Sequence, residues 1–168
     1  MEKRVIKELK RLLKDEGVID APHYLTSYSY DASLDRAQPE LVVFPKTTEE
    51  LVAIAKIASR EGIPLVPRGA GTSLSGGPIP VKGGIVVNFT RMNKILSIDL
   101  ENRRAVVQPG VVNMELQRAL SDAEYIYGPD PSSQIVCTLG GNVAENSGGP
   151  HCLKHGFTIN HVLGLKIV

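Results

Sequence analysis

Residues 40–80 carry the strongest constraint on what this chain can fold into. "ELVVFPK" (40–46) is a short apolar strand closed by Pro45. "TTEELVAIAKIASREG" follows. Thr47 with Glu50 three residues on makes a capping box, and Gly62 sits where a helix would end. Leu51, Ile54, Ala55 and Ala58 fall on one helical face. "IPLVP" (63–67) reads as a second strand. Strand, helix and strand with short links predict a βαβ unit with parallel pairing and a right-handed crossover. The chain then runs into "PRGAGTSLSGGPIP" (67–80), which has four glycines, three prolines and one charge, Arg68.

Small residues gather where backbone must approach a ligand closely. Successive N–H groups in such a loop form an anion-binding nest, and hydroxyls add donors. A phosphate or pyrophosphate cradle is one reading of "RGAGTSLSGG"; a plain surface loop is the other. Two nucleotide motifs are excluded by the residues themselves. The dinucleotide fingerprint needs a third glycine where Leu74 stands and a helix where Pro78 and Pro80 stand. A Walker loop needs Lys and Ser/Thr where Gly77 and Pro78 follow Gly76.

Before and after this core the pattern is mixed. Val5, Ile6, Leu9, Leu12 and Leu13 predict an amphipathic helix over 2–14, ended by Gly17, its Lys/Arg face solvated and not a membrane anchor. Residues 20–38 read as an irregular connector. "GIVVNF" (84–89) is a strand, and 95–100 with 104–110 form a hairpin-like pair. "NMELQRALSDA" (113–123) is a helix with Asn113 as its N-cap. Residues 128–138 are loop, and 140–149 make one or two helical turns. "HVLGLKIV" (161–168) is strand-like, so the chain is expected to be the front part of something longer.

The 168 residues suffice for a domain with a real core. A net charge of +1 offers no electrostatic case for nucleic acid or an anionic membrane. No apolar run approaches the roughly 18–20 residues of a membrane span, and no secretory signal is present at the N-terminus. Two cysteines make no disulfide framework and suit a reduced, cytoplasmic protein.

A second small-residue loop, "GPDPSSQIVCTLGGNVAENSGG" (128–149), also follows a β-rich segment. Two such loops suggest one extended dinucleotide-sized anion. Taken together, "PRGAGTSLSGG", "GPDPSSQIVCTLGGNVAENSGGPHCLKHG" and "HVLGLKIV" resemble the FAD-binding half of the vanillyl-alcohol oxidase/p-cresol methylhydroxylase flavoprotein family. Within it they are most similar to the branch holding glycolate oxidase flavin subunits and FAD-linked D-lactate dehydrogenases. The resemblance runs from about Tyr28 to Val168.

It implies an α+β fold in which FAD lies extended between two α/β subdomains. An N-terminal helix and connector would occupy 1–38 and the FAD-binding domain 39–168. Its first subdomain would span about 39–110 and its second, incomplete, about 111–168. The first loop would wrap the pyrophosphate through Arg68, Gly69, Ala70, Gly71, Thr72 and Ser73, with Leu74 and Gly76 shaping the turn. The second would contact pyrophosphate, ribityl chain and flavin ring through Pro131, Ser132, Thr138, Gly140, Gly141, Asn142, Ala144, Ser147, Gly148 and Gly149. With no His or Cys between Pro67 and Pro80, FAD is expected to be non-covalent.

The family's reaction moves a hydride from C2 of a 2-hydroxy acid to the flavin. Its substrate-binding groups lie in a C-terminal substrate domain, missing here or on another chain. No catalytic or metal residue is therefore assigned, and the chain is expected to be inactive alone. An iron–sulfur subunit is a further partner implied by the resemblance. Two alternatives stay open: a separate FAD-binding subunit of a split flavoenzyme, and oxidation of another alcohol on the same scaffold. His151, Cys152, His155 and His161 cluster, but straddling a loop and a strand start they favour packing over metal binding. Cys137 reads as core. Tyr30 and Asp31 read as surface or interdomain residues, and Arg68 as a loop cation with an anion partner or a structural ion pair.

Overall fold

The charged N-terminus folds as an amphipathic helix, α1 (Lys3–Leu13), in the computed structural model, which describes every residue from Met1 to Val168. Val5, Leu9 and Leu13 are buried, while Lys3, Arg4, Lys7 and Arg11 are exposed. The next segment departs from the expected connector. It forms a short strand, β1 (Val18–Ile19), and a helical turn, α2 (Pro22–Leu25), continued as a 3-10 turn over Thr26–Tyr28. Two residues are too few to show a strand period in sequence; antiparallel pairing of Val18 with Val43 defines this one.

β2 (Leu41–Val43), α3 (Thr48–Glu61) and β3 (Leu65–Arg68) form as expected, but β2 and β3 are not neighbours. β4 (Ile85–Asn88) lies between them, parallel to both, in a sheet of order β1-β2-β4-β3. The reason lies in β4 itself. All four of its residues are buried, and a strand that is apolar on both faces belongs at the centre of a parallel sheet. The pleat sorts the core. Leu41, Val43, Ile85 and Val87 pack with Val5, Leu9, Ile54 and Ile57; Val42 and Val86 pack on the other face with Leu25, Tyr28 and Phe44. On α3 the buried stripe is Ile54, Ile57 and Ala58, so Ile57 takes the place expected of Ala55. Thr47 Oγ1 accepts from Glu50 N–H at 3.2 Å, the Glu50 carboxylate accepts from Lys46 N–H at 2.6 Å, and Gly62 ends the helix at φ +63°.

The chain divides into two compact units, Met1–Arg91 with Val168, and Met92–Ile167. The division falls earlier along the chain than residue 110, so the hairpin of β5 (Ile95–Asp99) and β6 (Arg104–Val107) belongs to the second unit. That unit also holds α4 (Asn113–Leu120), α5 (Leu139–Glu145) and a single turn, α6 (Cys152–His155). Val111, Leu116 and Leu139 form its core, with Ile95, Val107, Leu120 and Tyr127 packed around them.

Two expectations fail in this unit. Asn113 is not the N-cap of α4; Val112 is. Asn113 is fully buried, and its Nδ2 donates to the Pro129 carbonyl at 3.0 Å. Its amide ties two stretches of chain together instead of capping its own helix. Residues 162–168 form no strand, and Leu163, Leu165 and Ile167 are exposed. An alternating apolar run becomes a strand only against a ladder partner, and no other segment pairs with it.

Candidate functional site

The first loop leaves β3 at Arg68. This lone charge is 6% exposed. Its guanidinium donates to the Tyr30 carbonyl at 2.8 Å and lies 5.7 Å from the centre of the Tyr28 ring. Burial pulls its pKa below the ordinary arginine value, opposed by Asp31, Tyr28 and Tyr30, and an arginine stays charged under any ordinary condition. The charge thus sits beneath the loop, one of its N–H groups spent on the Tyr30 carbonyl and the rest of the guanidinium lying under Gly71.

Above it, Gly71 adopts φ +73°, and a Cβ there would collide with the Arg68 guanidinium. Gly76 adopts φ +76°. Both conformations suit glycine. Gly69, Thr72 and Ser73 are half-buried, and Ala70 and Leu74 are exposed. Ala70, Gly71 and Thr72 donate their N–H groups to no acceptor in the chain. Three consecutive unpaired donors over a buried cation fit an anion.

The residue that the sequence reading undervalued is Asp31. It is 6% exposed, not a surface residue. Oδ1 accepts from Ser33 N–H at 2.8 Å, and Oδ2 accepts from Gly76 N–H at 3.0 Å. The local half of this arrangement is visible in "DAS" as an Asx turn; the bond to Gly76 is not. Burial raises the Asp31 pKa, but hydrogen bonds from Ser33 and Gly76 and the Arg68 charge outweigh it, so the net shift is downward. A carboxylate with a lowered folded pKa stabilises the fold above its unfolded value of about 3.9 and loses that contribution as pH falls through the lower folded value. The stability difference between the wild-type chain and Asp31→Asn is therefore expected to be full at neutral pH and to shrink below about pH 4, read as urea midpoints against pH. A difference that is independent of pH would show that Asp31 does not ionise in this role.

The second loop belongs to the second unit. Thr138 caps α5, its Oγ1 accepting from Gly141 N–H at 3.3 Å and its carbonyl from Asn142 N–H at 2.8 Å. Gly140 donates to the Pro109 carbonyl at 2.8 Å, Ser147 to the Asn142 carbonyl at 2.9 Å, and Gly149 to Cys152 Sγ at 3.0 Å. Five of the expected contact residues therefore use their N–H groups inside the unit. Their small size also serves packing: Gly140 lies against Pro109, Gly148 against Phe157, and Gly149 against the Asp130 carbonyl. Ser132, Thr138 and Gly148 keep N–H groups without an acceptor in the chain. Pro131 is half-buried and Ala144 exposed. Asn142 is 1% exposed and its Nδ2 has no partner, a condition under which a bound acceptor gains most.

The neighbouring His/Cys cluster is engaged internally. His151 Nδ1 donates to Asp130 Oδ2 at 2.6 Å, and His161 Nε2 meets the His155 carbonyl at 3.0 Å. No three potential metal ligands converge. Burial raises the Asp130 pKa, but the His151 N–H and ring more than reverse it. Cys137 is buried, and that burial raises its thiol pKa, in keeping with a core role. No helix is long and apolar enough to cross a membrane.

A mixed sheet whose strand β3 runs into a glycine loop, followed in the second unit by another small-residue loop, makes this an α+β chain. Comparisons with known proteins say of which family. Residues 39–168 match the FAD binding domain family. The glycolate oxidase subunit GlcD of Bacillus subtilis (strain 168) is 47% identical over 142 residues, 84% of this chain and 30% of the relative. The D-lactate dehydrogenase of Anaerostipes hadrus is 38% identical over 133 residues, 79% of this chain and 28% of the relative. Among solved structures, an alkyldihydroxyacetonephosphate synthase superposes with a TM-score of 0.88 at 25% identity, covering 97% of this chain and 32% of its own. A p-cresol methylhydroxylase with substrate bound shares the fold at a TM-score of 0.76 and 23% identity, over 86% of this chain and 29% of its own. The chain belongs to the FAD binding domain family, and FAD is its cofactor. It spans about three-tenths of the length of these curated relatives.

Proposed function

We propose that the chain is the FAD-binding part of a flavin-dependent 2-hydroxyacid dehydrogenase, acting on glycolate or D-lactate. The observation that carries the reading is the run of unpaired N–H groups at Ala70, Gly71 and Thr72 over the buried Arg68 charge. It supports pyrophosphate binding without a metal. The names of the relatives, a glycolate oxidase subunit and a D-lactate dehydrogenase, support the substrate class.

In this reading the first loop holds the pyrophosphate through backbone N–H groups, and Arg68 contributes attraction from below. Ser132, Thr138, Asn142 and Gly148 are the second-loop residues with donors still available. Gly69 and Ser73 complete the first loop, and Leu74 and Gly76 shape its turn. Gly140, Gly141, Ser147 and Gly149 shape the second loop. Pro131 and Ala144 add contact surface. FAD held there would supply the two-electron acceptor, its N5 the destination of the hydride from C2 of a 2-hydroxy acid. The absence of His and Cys from 67–80 supports non-covalent FAD. The substrate groups are assigned to a separate C-terminal substrate domain, and an iron–sulfur subunit is the proposed electron-accepting partner. Two free cysteines suit a reducing cytoplasm.

The test is a visible spectrum of the purified chain after FAD addition and desalting. A retained band near about 450 nm, released on denaturation, is expected. A chain that stays colourless with FAD in excess would overturn the cofactor role of these loops. Anaerobic glycolate or D-lactate should bleach the band in the intact gene product; if neither does, the substrate assignment fails.

A further inference from the structure

The glycine loop does not stand alone within its unit. A small turn just after the 3-10 segment at Thr26–Tyr28 lies against it. Tyr30 bridges Arg36 in antiparallel fashion, closing the turn. Three bonds run from this turn to the loop region. Arg68 donates to the Tyr30 carbonyl at 2.8 Å, Ala32 N–H donates to the Ser73 carbonyl at 2.9 Å, and Gly76 N–H donates to Asp31 Oδ2 at 3.0 Å. They hold the loop at its start, middle and end.

The three contacts have one geometric effect. They fix Arg68, Ser73 and Gly76 and use none of the N–H groups of Ala70, Gly71 and Thr72. A flexible loop of this composition would lose conformational freedom on binding an anion, and that loss weakens affinity. A loop already held in its binding shape avoids it. Asp31 and Arg68, both buried, are placed for this task. The Asp31 carboxylate accepts from the backbone N–H groups of Ser33 and Gly76, and Arg68 donates to the Tyr30 carbonyl.

We infer that the Tyr30–Arg36 turn is a brace that presets the 69–76 loop before its anion arrives, with Asp31 and Arg68 as positioning residues. The inference rests on the reading that this loop receives the FAD pyrophosphate. It adds a residue outside both glycine loops to the binding apparatus.

The experiment compares FAD with riboflavin, which lacks the pyrophosphate, on the wild-type chain, Asp31→Ala and Asp31→Asn. Amide hydrogen exchange is followed by NMR without ligand. In the wild-type chain the Gly76 and Ala32 amides should exchange slowly before any ligand is added. Asp31→Ala should weaken FAD about tenfold, by loss of a buried hydrogen bond, and leave riboflavin affinity unchanged. Asp31→Asn keeps one acceptor oxygen and should fall between. Gly76 and Ala32 amides that exchange at the free-peptide rate in the wild-type chain would overturn the brace. So would unchanged FAD affinity in Asp31→Ala, or equal losses for FAD and riboflavin, which mark a general loss of structure. If Asp31→Ala does not fold, Asp31→Asn and the wild-type exchange rates decide the matter. A wild-type chain with protected amides that binds no FAD would defeat the cofactor reading and leave the brace standing.

Discussion

Gly149→Ala is expected to destabilise the second unit by about 3 kcal/mol, the upper range for forcing an atom into a packed site. It should also abolish flavin retention by the chain. The added Cβ would collide with the carbonyl and backbone carbon of Asp130. Backbone cannot swing aside as a side-chain tip can, so the loop must shift as a whole. Asp130 also carries the His151 contact at 2.6 Å, and the displacement would break it. The control is Gly141→Ala, where the nearest atom is Thr138 Oγ1 at 3.2 Å. There the hydroxyl needs to move only slightly, and alanine favours helix over glycine by about 1 kcal/mol, so little net change is expected. Urea unfolding followed by circular dichroism, with the flavin band after desalting, checks both. A Gly149→Ala chain as stable as wild type would show that the Asp130–Gly149 approach is not fixed by packing.

Ile54→Ala should cost the first unit about 2–5 kcal/mol, through lost burial and the cavity left behind. Ile54 has no exposed surface and packs with the α1 stripe and with both Leu41 and Ile85 of the sheet. The same sheet launches β3 into the glycine loop, so flavin retention should fall with stability. Loss of less than about 1 kcal/mol in the urea midpoint analysis would mean that the helices close over the gap, which measured core truncations rarely do.

Much of this was legible in the residues. The capping box at Thr47 and the stop at Gly62 specified α3 because both act through neighbours three or four positions away. The glycine loop was legible because its composition is the requirement: positive φ at Gly71 and Gly76 excludes most side chains. What could not be read there depends on distant partners. β1 is a strand only because β2 accepts it. Asp31 looks like a surface turn residue until Gly76 arrives from 45 positions away.

The two loops also divide by what their small residues do. In the first, Ala70, Gly71 and Thr72 leave their donors free over a buried charge, while Gly76 donates to Asp31. In the second, Gly140, Gly141 and Gly149 use their own N–H groups, and Gly140, Gly148 and Gly149 also make room for neighbouring chain. A sequence shows the smallness in both cases alike, since a missing Cβ serves a ligand and a packing neighbour equally well.

By itself, then, the sequence determined the cap and stop of α3, the two small-residue loops and the strand at β4, because each follows from local sterics or from an apolar run. Only the tertiary structure decided that β4 separates β2 from β3, that Arg68 turns inward and that Asp31 holds the loop, because each of these depends on which distant groups are brought within bonding distance.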